Sequence, residues 1–171
     1  MNAESRRASI LDLLSQADAP ISAGSLAARF SVSRQIIVGD IALLRAGGAE
    51  ISATPRGYLL HRDAAGLVRT VACVHTGEQT EQELCIMVDN GCVVQDVVVE
   101  HPIYGQIAGQ LQIASRYDVS QFIQRLQTDG GAPLSALTDG IHLHTLQCPD
   151  ESAYQRTCTQ LRQAGFLLET N

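Results

Sequence analysis

The sequence predicts a mixed α/β chain in two parts, a helical front followed by an open sheet with helices packed on it. Three observations predict this. Apolar residues recur at helical spacing as far as about residue 46, and a strand-turn-strand pattern closes that part near residue 60. From residue 67 onward, strand-like and helix-like segments interleave, the pattern of a sheet with helices on it. A length of 171 residues accommodates one ordinary domain or two small ones. The expected division is 1–62 and 66–171, joined by the short polar stretch HRDAAG at 61–66.

In the front part, SRRASILDLLSQAD sets Ile10, Leu13, Leu14 and Ala17 on one helical stripe, and Pro20 stops it. ISAGSLAARF follows, with Ser22 as N-cap and Leu26, Ala27 and Phe30 as its apolar face. After the Ser31-Val32 turn, Ser33 caps RQIIVGDIALLRAGG, where Ile37, Ile41 and Leu44 line one face and Gly47-Gly48 ends the helix. Two short helices joined tightly behind a longer one make a helix-turn-helix. The hairpin EISATPRGYLL directly after them is the wing of a winged helix-turn-helix. Gly39 inside the third helix costs roughly 1 kcal/mol relative to Ala. A close backbone approach, either to a DNA phosphate or to the second helix, would explain it.

The back part reads as strand 67–74, helix 80–90, strand 92–100, strand 105–115, helix 119–128, strand 141–147, helix 151–164 and strand 166–169. There is no internal repeat and no low-complexity segment.

Composition excludes several classes. An apolar fraction of 45% with 18% charged residues describes a folded globular chain. No apolar run approaches the ~20 residues of a membrane span, and MNAESRRASI lacks a signal-peptide core. The expectation is a cytoplasmic protein without a membrane partner. The five cysteines form no CxxC pair, which argues against a disulfide framework or a zinc ribbon. Every basic residue is Arg; residues 1–62 carry a net +2 and residues 63–171 a net −8. A mildly basic front on an acidic back suits a nucleic-acid reader attached to something else.

The chemistry concentrates in DGIHLHTLQ (139–147). In a strand, His142 and His144 share one face, with α-carbons roughly 6.6 Å apart, so both rings can converge on one ion. The alternative is that both lie on a solvated sheet face. His75 ends the first strand of the same part, and Glu83 lies early in the next helix, with Glu78 and Glu81 as competing carboxylates. Three imidazoles and a carboxylate suit Ni, Zn, Co, Cu or Fe(II) and do not suit Mg or Ca. Cys73 shares a strand face with His75 and could join the ligands, but its favoured reading is a packed core thiol. His101 opens the HPIYG junction, either as a turn with a capping histidine or, with Tyr104, as a polar wall of a ligand pocket near the metal. In the front part Arg34 and Gln35, behind Ser33, begin the helix that would reach base edges, while Ser31 and the wing residue Arg56 would take phosphates. No GxSxG, P-loop or GxGxxG fingerprint is present.

VSRQIIVGDIALLRAGG followed by ISATPRGYLL resembles the winged helix of the niacin-responsive transcriptional repressors of bacterial NAD biosynthesis. The back part resembles their three-histidine (3H) domain in His75 with Glu83, the EHPIYG junction and the IHLHTL strand. The resemblance spans about residues 5–169. It implies an α/β 3H domain with an HPr-like open sheet and a non-enzymatic, homodimeric repressor. It implies one divalent transition metal ion per chain, nickel or zinc foremost, on His75, Glu83, His142 and His144. The implied effector is nicotinic acid, with His101 and Tyr104 as its expected contacts, and the implied partner is palindromic double-stranded operator DNA. Gly39 and the acidic, arginine-poor sensor half depart from the family pattern. Two other readings stand beside it: a repressor for which the metal itself is the signal, and a metal-dependent hydrolase of nicotinoyl compounds with His101 as general base.

Overall fold

The computed structural model of the protein describes residues 2–61 and 66–169. The chain divides into two compact units, Met1–Ala64 and Ala65–Asn171. The expected linker at 61–66 lies for the most part outside the described residues.

The first unit opens with α1 (Ala3–Gln16), capped by the Asn2 side chain, which accepts from the Ser5 amide. Helices α2 (Ala23–Phe30) and α3 (Arg34–Ala46) follow, with Ser22 and Ser33 as N-caps. Ser31 between them adopts a left-handed conformation at φ 53°, and its amide bonds back to the end of α2. Ile10, Leu14, Leu26, Ile37 and Ile41 are essentially inaccessible and fill the centre of the unit. Asp40 on α3 is buried and receives Arg6 Nε of α1 at 2.6 Å, with Arg7 at 3.6 Å. The ion pair thus ties the first helix to the third.

Strands β1 (Ile51–Thr54) and β2 (Gly57–Leu60) form an antiparallel hairpin. Ile21 and Tyr58 exchange both backbone hydrogen bonds, at 2.9 and 2.8 Å, so the chain between α1 and α2 joins the hairpin. Gly57 makes this possible. A Cβ there would stand 2.3 Å from the Ile21 carbonyl oxygen, and its φ is +138°.

The second unit is an antiparallel sheet in the order β3-β6-β4-β5, made of Leu67–Val74, Ile141–Cys148, Val93–His101 and Gly105–Ile113 respectively. Helices α4 (Thr80–Asp89), α5 (Arg116–Thr128) and α6 (Glu151–Gln163) share one core with it. Along β6 the even-numbered residues His142, His144, Leu146 and Cys148 are buried, and the odd-numbered ones are half-buried or exposed. The expected strand at 166–169 is reduced to a bridge between Leu167 and Cys73. Two short 3-10 turns, Gly77–Gln79 and Leu134–Thr138, were not foreseen because their few residues carry no periodicity.

Two irregularities position the site. Between β4 and β6, Val94 pairs with Leu146 and Val98 with Leu143, so four steps along β4 match three along β6. β4 therefore carries one extra residue, a β-bulge around Asp96. At the other end, Gly140 leads into β6 at φ +90°, where a Cβ would lie 2.3 Å from the His75 carbonyl oxygen. The glycine lets the end of β3 and the start of β6 touch.

Candidate metal centre and nucleic-acid interface

His142 sits opposite Cys73 and His144 opposite Val71 across the β3–β6 ladder, and His75 follows directly on β3. Helix α4 delivers Glu83 beneath them. Its carboxylate lies 2.7 Å from His75 Nε2 through Oε2, 2.9 Å from His142 Nε2 through Oε1, and 3.4 Å from His144 Nε2 through Oε2. All four side chains are no more than 4% exposed. The competing carboxylates Glu78 and Glu81 are exposed at the surface.

The opposite edge of each ring is tied to the backbone. His75 Nδ1 contacts the Thr76 carbonyl at 2.7 Å, His142 Nδ1 the Gly140 carbonyl at 2.8 Å, and His144 Nδ1 the Asp96 carbonyl at 2.7 Å. A carbonyl only accepts, so in each ring Nδ1 is the donor. In a neutral imidazole that leaves Nε2 as a bare lone pair aimed at the carboxylate. A lone pair facing a carboxylate oxygen at these distances is repulsive unless a proton or a cation lies between them.

Electrostatics follow this demand. Burial alone would raise the Glu83 carboxyl, yet the charge of His144 and the bonds from His142, His144 and His75 outweigh it. The group is held well below the usual carboxylate range. Burial pulls His75 and His144 down, and contact with the Glu83 charge reverses this and leaves both raised. Several charged imidazoles around one carboxylate would leave surplus positive charge in the core.

A divalent cation would instead let all three rings stay neutral, giving their Nε2 lone pairs and the carboxylate one shared partner, and the donor set fits one. His75 Nε2 is buried and makes no aligned hydrogen bond, despite its 2.7 Å approach to Glu83. Rings whose far nitrogen donates to a backbone carbonyl are in the tautomer and orientation of metal-ligating histidines. Borderline-soft transition ions accept such donors. Cys73 is fully buried in the hydrophobic core of the second unit, as the core-thiol reading expects, and it also stands beside the candidate ligands. Its sulfur, a Glu83 oxygen and a His142 nitrogen all lie within 4.8 Å of one another. Burial and the Glu83 charge push its thiol up.

Beside His75 lies a cavity of about 410 Å³, with Thr76, Gln79, Ser135, Asp139 and Gly140 in its wall. His101 and Tyr104 are not among its lining residues. His101 Nδ1 accepts from the Ile103 and Tyr104 amides at 3.2 and 3.3 Å, and its ring packs on Tyr104 at 5.0 Å. The arrangement is a turn capped by its own histidine, with Tyr104 76% exposed.

Asp96 and Gly140 were missed by sequence reasoning. Asp96 contributes its carbonyl to His144, and its side chain accepts from the Thr145 amide at 2.9 Å. The DG dipeptide before IHLHTL is a turn signal that could have pointed to Gly140, whereas nothing local marks the bulge.

In the first unit, Arg34 and Gln35 are exposed on the first turn of α3, as is the cap Ser33, whose hydroxyl accepts from the Ile36 amide. Ser31 is exposed, and Arg56 in the hairpin turn is half-buried. A Cβ on Gly39 would meet nothing within 4 Å, which removes packing against α2 as the reason for that glycine.

A family described as "3H domain" matches residues 68–170, and one described as "HTH domain" matches residues 6–59. The chain is 43% identical over 169 residues to "Transcription repressor NadR" of Bacillus subtilis (strain 168), an alignment covering 96% of this chain and 93% of that one. It is 42% identical over 166 residues to "Probable transcription repressor NiaR" of Thermotoga maritima, covering 97% and 95% respectively.

Proposed function

The chain belongs to the 3H-domain, helix-turn-helix transcription repressors, DNA-binding regulators rather than enzymes, and from that premise we propose a niacin-responsive, metal-binding repressor of NAD-biosynthesis or niacin-uptake genes. The observation that carries the reading is the convergence of three backbone-tethered imidazoles on the buried Glu83 carboxylate. His75, Glu83, His142 and His144 would hold one divalent transition ion; the donor type admits Ni, Zn, Co, Cu or Fe(II), and the family resemblance puts nickel or zinc foremost. Such an ion would supply positive charge and an unfilled coordination position.

The cavity beside His75 supplies space of the size that small-molecule sites use. None of the residues lining it is Arg or Lys, so an aromatic carboxylate entering it needs another source of positive charge. Hence nicotinic acid binds more tightly than nicotinamide, whose neutral amide gains less from a cation. His101 and Tyr104 remain in the proposal as outer contacts of the effector. His101 accepts at Nδ1, so in its neutral form it carries its proton on Nε2 and can donate outward.

Repression then follows from linkage. Effector and operator strengthen one another by one coupling free energy, provided the effector favours the arrangement that binds DNA. A two-fold dimer presents two copies of α3 and requires a palindromic operator, with half-sites about 34 Å apart or a multiple of that. Arg34 and Gln35 would read base edges, with Ser31, Ser33 and Arg56 on the phosphates.

Calorimetry with nicotinic acid, before and after chelation, tests the effector arm. Binding that survives in folded, metal-free His142→Ala/His144→Ala protein rules it out. Operator binding that needs metal and ignores nicotinic acid would favour the metal itself as the signal.

A further inference from the structure

We infer that Ile36 and Val38 read thymine by its methyl group, so that the operator half-site carries thymines whose C5-methyls meet these two side chains. Every large apolar side chain exposed in the described part of the first unit lies on α3: Ile36 at 44%, Val38 at 41% and Leu43 at 58%. The buried face of the same helix, Ile37, Asp40 and Ile41, is fully engaged with the unit's own core, so the exposed side chains are not left over from packing.

Helical spacing sorts the outer face. Gln35, Gly39, Ala42 and Ala46 follow one another at intervals of four and three and form its crest. Ile36 and Leu43 run down one flank; Val38 lies on the other, one turn after Arg34. No side chain at Gly39 or Ala42 is larger than a methyl, so the backbone of α3 can approach a base edge closely between the two apolar flanks. The empty surroundings of Gly39 make this approach external to the chain.

A recognition helix enters the major groove with its N-terminal residues against the bases. The apolar group that a base pair displays there is the thymine methyl; the other marks are donors and acceptors. Phosphates and sugars offer nothing to Ile or Val that water does not. Arg34 and Gln35 beside them supply the charge and amide that hold the helix to DNA, and Gln35 is built to take an adenine of the same half-site bidentately. A second copy of this chain as the occupant would leave both polar groups without purpose.

The experiment uses the full chain with Ni²⁺ and nicotinic acid. Duplexes are selected from a random pool, and each thymine of the enriched site is then replaced by deoxyuridine, which removes the methyl alone. One or two positions per half-site are expected to weaken binding about threefold to fivefold, the worth of one buried methyl. Ile36→Ala and Val38→Ala proteins, unchanged in circular dichroism, are each expected to bind thymine and deoxyuridine equally at one of those positions. Binding indifferent to deoxyuridine everywhere overturns the inference, as does full discrimination in both variants. Loss of dimer mass in either variant, with discrimination intact, would assign the face to self-association and overturn it as well. Failure to enrich any duplex takes the repressor reading down too. Enrichment that ignores nicotinic acid strikes only at the effector.

Discussion

Asp40 in the first unit and Glu83 in the second are both buried carboxylates on helices, and their surroundings answer the charge differently. Asp40 in the first unit is met by Arg6, a cation that stays charged at any physiological pH and is held higher still by the pair. Glu83 in the second unit is met by three imidazoles, whose charge is conditional. A buried charge with a permanent partner is a structural tie. A buried charge with conditional partners makes the surroundings depend on what arrives from outside. The comparison separates a structural tie from a conditional centre within one chain.

Glu83→Gln attacks the conditional centre most directly, because it removes the one carboxylate on which the three imidazoles converge. Metal retention, read by elemental analysis and calorimetry, is expected to fall at least ~100-fold, beyond the usual cost of losing an outer-shell group. Asp40→Asn is the matched change in the first unit. It should leave metal content untouched and lower the thermal midpoint by roughly 5 to 10 °C. If the two variants exchanged phenotypes, the division drawn here would fail.

Gly140→Ala touches no donor atom of the centre, yet it drives a methyl against the His75 carbonyl. Metal affinity is expected to drop about 10-fold, the size of effect seen when the supports of a ligand shift. Competition with a chromogenic chelator would measure it.

The smallest effect is the pH dependence of the metal-free protein. Glu83 is lowered on folding, so its contribution is complete above its usual value of 4.5 and is lost as pH falls through the folded value. His75 and His144 are raised, so theirs is complete below their usual 6.5 and is lost as pH rises through the folded values. Urea midpoints of metal-free protein should therefore peak between about 4.5 and 6.5 and decline on both sides. With metal bound the upper limb inverts, since protons then compete with the ion for the same nitrogens. A midpoint that climbs steadily from pH 6 to 8 without metal would contradict the assignment.

The helices and strands that carry the donors were legible because their signals are local. Alternation in IHLHTL put both imidazoles on one face, and the caps Ser22 and Ser33 marked their helices. The choice of Glu83 over Glu78 and Glu81 needed the pitch of α4 relative to the sheet, which no local pattern contains. Cys73 was placed on the correct strand face, but its nearness to His142 depends on the β3–β6 register. The Asp96 bulge and the close contact at Gly140 are agreements between segments dozens of residues apart, and neither leaves a periodic trace. His101 admits two readings from sequence: the hydrogen bonds of the Ile103 and Tyr104 amides to its Nδ1 supply the capped turn, and the effector contact stands as the proposal.

The carbonyl tethers behind the three rings carry a last implication. Side chains already oriented before an ion arrives surrender little freedom on its capture, and an ion enclosed by groups so well shielded from solvent leaves slowly. If the four donors hold an ion as proposed, it would behave as a fixture of the molecule, and a small acid entering the space next to it would be the variable left to carry news.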